Sequence, residues 1–242
     1  MQLPPASAPP RLFNVYIDFD GTIAPDEPTD QLFARFADPA WRSIDDAWLA
    51  GRLTSWEATA RKVALLRASP DEIRDFLRTM SIDADFPAFV DLCRRHGARL
   101  MVLSDGLDLV LRTVLGAAGL LLPCKANQLV WQGGNRWSAA FPHRSSGCRF
   151  RLGNCKCAHR LAGAARDVMV GDGRSDFCIA ERCHLVIAKG TLLHRCKEQR
   201  LPHIAMHGFA DANARFAAWL SREDAATSDD GAVLTAAAGL GA

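Results

Sequence analysis

The chain has 242 residues, with 49% hydrophobic and 23% charged side chains. That length and balance describe an ordinary globular protein of one large domain or one domain with an insertion, and exclude a disordered or acidic chain. A net charge of +2, from 29 Lys and Arg against 27 Asp and Glu, gives no basic excess for nucleic acid.

Residues 1–10 hold four prolines and no apolar core of a signal peptide, and read as a frayed end. Leu12 to Ile17 is a short apolar run that predicts a buried strand ending at Asp18, with Gly21 breaking it. From Asp26 to Leu92 the apolar spacing is helical. Trp41, Ile44, Trp48 and Leu49 recur at three and four, as do Ile73, Phe76 and Leu77. Pro28, Pro39, Pro70 and Pro87 each stand near an expected helix start. The tryptophans Trp41, Trp48 and Trp56 read as core of this helical segment.

Arg99 to Leu103 predicts a second strand ending at Ser104, and Leu107 to Leu115 a helix. Residues 127–141 read as a β-hairpin around Gly133-Gly134. Trp131 and Trp137 on it are assigned to local packing, with a homodimer contact as the alternative. A helix near Ala158 to Ala165 precedes a strand at Val168 to Val170. Further strands are expected at His184–Ala188 and Ile204–His207, and a last helix at Ala210–Leu220. The Ala- and Asp-rich residues 221–242 read as a loose tail. His203 and His207 read as structural. Strands alternating with helices predict an α/β protein with a parallel, Rossmann-like sheet. The partition is a core of 1–25 and 93–220 and a helical insert of 26–92.

Eight cysteines in a long chain without a secretory signal read as reduced thiols of a cytoplasmic protein. No stretch is long and apolar enough to span a membrane. Cys148, Cys155 and Cys157, with His143 and His159 nearby, lack the paired C-x2-C spacing of a zinc site and are assigned to packing.

Three expected strand ends carry chemistry. Asp18-Phe19-Asp20-Gly21-Thr22 puts two carboxylates on one side of an extended backbone, so one can attack phosphorus while the other moves protons. Gly171-Asp172-Gly173-Arg174-Ser175-Asp176 offers hard oxygens that suit Mg²⁺, with a helix cap as the plainer role for Asp176. Ser104 before a helix start suits a phosphate cradle, and Lys156 a point charge on a phosphate or a nucleophile. Ligands gather at the carboxyl ends of such sheets, so these groups are expected in one crevice.

In this order, DFDGT at 18–22, LSDG at 103–106, Lys156 in GNCKC and GDGRSD at 171–176 resemble the haloacid-dehalogenase-like phosphatases, over residues 12–220. The resemblance implies Asp18 as nucleophile and Asp20 as general acid/base. It implies phosphate contacts from Thr22, Ser104, Asp105, Gly106 and Lys156. It also implies Mg²⁺ held by Asp18, Asp20 and Asp172, with Asp176 in support. The helical insert resembles a C1-type cap. The chain resembles the branch holding phosphoserine phosphatases and the methionine-salvage phosphatases of a methylthio-ketopentenyl phosphate, the latter most closely in Ser104 to Asp108 and the Cys-rich approach to Lys156. Features of phosphoethanolamine/phosphocholine phosphatases appear around Asp176. Glu27 and Arg61 sit near where phosphoserine phosphatases read an ammonium and a carboxylate, the alternative being a helix-capping Glu27 and a solvated Arg61. The expectation is a phosphomonoesterase acting on a small phosphorylated metabolite. The rival of another class is a non-catalytic phosphate-binding regulator, against which the presence of Asp18 and Asp20 argues.

Overall fold

A computed structural model describes residues 13–162 and 166–238, with side chains through Glu223. The expected frayed end, and Leu12 of the first strand, lie outside the described residues. In chain order the elements are β1 (Phe13–Ile17), α1 (Pro28–Phe36), α2 (Trp41–Leu49), α3 (Ser55–Ala64), α4 (Pro70–Leu77), α5 (Phe86–Arg95), β2 (Arg99–Leu107), α6 (Asp108–Ala117), β3 (Cys124–Trp131) and β4 (Trp137–Ala140). They continue through β5 (Arg166–Gly171), α7 (Phe177–Ala180), β6 (Leu185–Ala188), α8 (Gly190–Glu198), β7 (His203–Ala205) and α9 (Phe209–Ala238). The strands form one sheet in the order β4-β3-β2-β1-β5-β6-β7, parallel except for the β3–β4 hairpin.

β1, β5 and β6 lie in the middle of this sheet, covered on both faces, so their side chains are almost all buried and their sequences are unbroken apolar runs. The chain leaves β1 for β2 on one side and later returns to β5 on the other. That reversal of direction opens a crevice at the carboxyl ends of β1, β2 and β5.

The helices after β1 start where their capping chemistry dictates. Thr54 and Glu57 form a reciprocal capping box on α3, and Ser69 and Glu72 do the same on α4. Pro28 and Pro70 sit in the first turns of α1 and α4, where a missing N–H costs nothing. Trp41 is buried against Phe33 and holds α1 to α2. Trp137 is buried and donates Nε1–H to the Ala68 carbonyl at 2.8 Å, a contact within the chain that ties the hairpin to the segment before α4.

α5 behaves differently from α1–α4. Phe86 and Phe89 pack on Phe209, and Phe89 also on Phe216, so α5 lies with α9 on the sheet. Each such buried aromatic contributes roughly 1.5–3 kcal/mol of transfer free energy.

Three local expectations are corrected. β2 runs on through Ser104 to Leu107, past a register shift after Leu103, and α6 begins only at Asp108. The expected helix at 158–165 is a single 3-10 turn at Lys156–His159, and residues 163–165 lie outside the described ones; a helix there lacks an apolar stripe to bury. The stretch expected as a tail from Ser221 is helical backbone to Ala238, in keeping with the high helix propensity of its alanines. Among the described residues, no helix is long and apolar enough to cross a membrane.

Candidate active site

The crevice has a volume of about 350 Å³. Its floor is made by the loops leaving β1, β2 and β5, and its wall by α1, α2 and α3. Asp18 follows the last residue of β1 and is buried. Its Oδ1 accepts from Lys156 Nζ at 2.6 Å and from the Phe19 N–H at 2.8 Å. Lys156 is fully buried and also donates to Asp176 Oδ1 at 2.5 Å. Asp176 in turn accepts at Oδ2 from the N–H groups of Asp172 and Gly173. One cation thus bridges two carboxylates under the crevice. Burial pushes the Asp18 carboxyl well above its ordinary value, with Asp176 and Asp172 adding to this and Lys156 opposing it. The two carboxylates hold the Lys156 ammonium well above its own range against the opposing effect of burial.

Asp20 stands at the N-terminus of α1. Its Oδ1 accepts the Thr29 N–H at 2.9 Å, and its Oδ2 the Thr29 hydroxyl at 2.8 Å. The helix's unpaired amide therefore finds its acceptor in a distant residue. Burial raises the Asp20 carboxyl to about 6, against these two hydrogen bonds and with help from Asp30 and Glu27. A side chain on Gly106 would lie 2.7 Å from Asp20 Oδ2 and 2.8 Å from Thr29 Oγ1, so glycine alone lets β2 approach this closely. Gly21 has φ 74°, and a Cβ there would meet Asp172 Oδ2 at 2.7 Å, which confines the loop to glycine for two reasons.

The remaining expected residues are distributed unevenly. Ser104 lines the crevice, but it is not beside a helix start: its Oγ accepts the Gly106 N–H at 2.8 Å, four residues before α6 begins. Thr22 is buried and donates to Asp172 Oδ1 at 2.7 Å, orienting that carboxylate instead of facing the crevice. The Asp105 carboxylate accepts from the Ser55 hydroxyl, the Asn154 N–H and Asn127 Nδ2, so it ties α3 to the floor. Glu27 lines the crevice from the N-cap position of α1 without making a side-chain cap. Burial raises its carboxyl, with Asp30, Asp172 and Asp45 adding to the effect. Arg61 is on the exposed face of α3, away from the crevice, and the cation beside it on the inner face is Lys62. Lys62 pairs with Asp45 at 2.8 Å and lies 4.9 Å from the centre of the Phe33 ring.

Thr29, Ser55, Lys62, Asn127 and Asn154 escaped the sequence reading. Thr29 alone carried a local signal, a polar residue in the first turn after Pro28. The others acquire meaning only from partners 22 to 50 residues away or from the face of a helix. Trp48 turns out to line the crevice as well as pack, while His203 and His207 bond locally to Leu201 and Asp211.

A parallel sheet with an acidic crevice at its switch point, floored by a lysine-bridged carboxylate pair, defines a hydrolase class. The haloacid dehalogenase-like hydrolase family matches residues 15–181, and the chain belongs to that family. It is 31% identical over 207 residues to the 2-hydroxy-3-keto-5-methylthiopentenyl-1-phosphate phosphatase of Geobacillus kaustophilus, covering 81% of this chain and 92% of that protein. The protein of the same description from Exiguobacterium sp. is 29% identical over 83% and 95%. Among solved structures, a phospho-aspartyl intermediate analogue of phosphoserine phosphatase has a TM-score of 0.60 at 19% identity, over 76% of this chain and 90% of that one. At that identity the likeness is one of fold.

Proposed function

We propose that the protein is a Mg²⁺-dependent phosphomonoesterase working through an aspartyl-phosphate, with α1–α4 as the cap over its crevice. The observation that carries this reading is the buried Asp18–Lys156–Asp176 bridge lying beside an Asp20 held by Thr29. Asp18 forms a bond to phosphorus as the bond to the leaving alkoxide breaks, and Asp20 gives that alkoxide its proton. Asp20 then takes a proton from water, whose oxygen attacks phosphorus and releases phosphate and the free Asp18 carboxylate. Lys156 holds Asp18 in line from beneath. A carboxyl near 6 is suited to alternate between acid and base.

Carboxylate oxygens of Asp18, Asp172 and Asp176 lie within 4.8 Å of one another, a hard-oxygen set that fits Mg²⁺. Asp18, Asp172 and the Asp20 carbonyl would hold the ion, with Asp176, already engaged by Lys156 and two amides, in support. Bound there, the ion supplies positive charge to the phosphoryl oxygens.

The relatives' names and the apolar part of the wall, Phe33, Trp48, Leu49 and Ala58, favour a methylthio-ketopentenyl phosphate as substrate. A second reading rests on Glu27, Asp30 and Asp45, whose carboxylates line the same wall and suit an ammonium-bearing ester such as phosphocholine. Phosphoserine is disfavoured, because Arg61 faces away and Lys62 already has partners. Phosphate release from a panel of these esters tests the choice. The methylthio-ketopentenyl ester is expected to show the highest kcat/KM, and all turnover is expected to stop in EDTA. Fastest turnover of phosphocholine, together with its loss in Glu27→Gln, decides for the second reading.

The eight free cysteines support a reducing, cytoplasmic setting.

A further inference from the structure

Outside the crevice, the loop carrying Lys156 converges with the start of α7 on a group of thiols. The sulfurs of Cys155, Cys157 and Cys178 lie within 4.8 Å of one another. The buried Cys148 packs in the same cluster as Cys155 and Cys178, and all four cysteines line one cavity of about 140 Å³. The Ala158 N–H donates to the Cys155 carbonyl at 3.0 Å and closes the turn that carries two of the thiols. Gly147, Arg149, Glu181 and Arg182 complete the lining, with Arg149 paired to Glu181.

We propose that these four cysteines form a structural zinc site that fixes the catalytic loop. Four thiolates about a divalent ion make a closed tetrahedral site with a net charge of two minus. Arg182, which lines the cavity outside the Arg149–Glu181 pair, offsets part of that charge. On binding, four S–H bonds are replaced by four zinc–sulfur bonds and the protons leave to solvent. His143 and His159 stand edge to face, and His159 is turned to Asn154, so neither is needed.

The site also answers a structural need. Among the described residues between β4 and residue 162, the 3-10 turn at Lys156–His159 is the only regular element. Irregular stretches of this length in a compact domain usually need other support. Cys155 and Cys157 flank Lys156, and Cys178 lies two residues beyond Asp176. One ion bound there would anchor both partners of the buried bridge.

The test uses the full chain purified under reducing conditions without metal-affinity resin. Elemental analysis is expected to find one zinc per chain that survives removal of Mg²⁺. Replacement by Co²⁺ should give the thiolate-to-cobalt charge-transfer absorption of a tetrahedral sulfur site, which carboxylates cannot produce. Cys157→Ser and Cys148→Ser should lower cobalt affinity roughly tenfold or more, while Cys124→Ser, outside the cavity, should leave the spectrum unchanged. Because the serine variants test folding as well as binding, the wild-type spectrum is decisive. A reduced wild-type chain that gives no charge-transfer band overturns the proposal, as does a Cys157–Cys178 disulfide in the native protein, or iron and sulfide in place of zinc. None of these outcomes depends on which phosphate ester is hydrolysed.

Discussion

The floor and the wall of the crevice are built on opposite plans. In the floor, Asp18, Asp176 and Lys156 are almost wholly buried, and each makes two or more polar contacts with fixed partners. Two of the strands under the floor, β1 and β5, lie in the middle of the sheet and are almost wholly buried. The wall is made of short helices with exposed outer faces, and its polar ties to the floor include Ser55 to Asp105, Thr29 to Asp20 and Arg174 to the Leu49 carbonyl. A rigid floor suits a bond-making step that tolerates little displacement. A lightly tied wall suits entry, closure and selection of a leaving group. The same division separates the phosphatase reaction from the identity of its substrate.

Asp18→Asn attacks the floor at its centre. The shape survives and the nucleophilic charge is lost, so turnover is expected to fall on the order of 10⁴-fold or more with the fold intact. Phosphate release and a melting curve on the same sample check both halves, and near-normal turnover rejects a covalent role for Asp18. Lys156→Met should be the largest stability change. It leaves two carboxylates buried against each other, at a cost of about 3–5 kcal/mol. Denaturant unfolding measures this, and a loss under 1 kcal/mol would place the lysine outside the structural frame.

Thr29→Val probes the joint between the two regions. Removing the hydroxyl takes away a hydrogen bond that favours the charged Asp20, so its carboxyl should rise further above 6. If Asp20 must be protonated to deliver its proton, the alkaline limb of the kcat/KM profile moves to higher pH, and the competent fraction at neutral pH rises. A limb that stays in place assigns the titration to another group.

The smallest effect is expected in the wall alone. Burial raises the Asp30 carboxyl, with Asp45 adding to the rise and Lys62 opposing it. A folded-state value above the unfolded one means that the stability this group contributes is complete below its unfolded pKa and is lost as pH rises through the folded value. Asp30→Asn should therefore flatten the decline of stability between the carboxylate range and neutrality, with little change in turnover of an uncharged ester. Unfolding midpoints across that range check the sign, and a steeper decline in the variant contradicts it.

Much of the floor was legible in the chain itself. Apolar runs that end in Asp18, Ser104 and Asp172 mark strands covered on both faces, and a parallel sheet has to gather their ends together. Helix starts in the wall were legible at Pro28 and Pro70, which stand in the first turns of α1 and α4. Two features were not legible, for a common reason. Arg61 and Lys62 are adjacent, and helical phase decides which faces the crevice; the local pattern does not reveal where that crevice lies. The Cys148, Cys155 and Cys157 spacing lacks the familiar metal pattern because Cys178, 21 residues further on, closes the group from another loop.

Local chemistry thus determined the strands, the capped helices and the acid pairs, since each depends on neighbours only a few positions apart. Tertiary structure alone decided that Asp105 anchors α3, that Thr29 holds Asp20, and that four thiols share one cavity. Those contacts join residues 9 to 50 positions apart. They exist because burying the apolar faces of the sheet and helices draws distant loops together, and no short-range pattern encodes that approach.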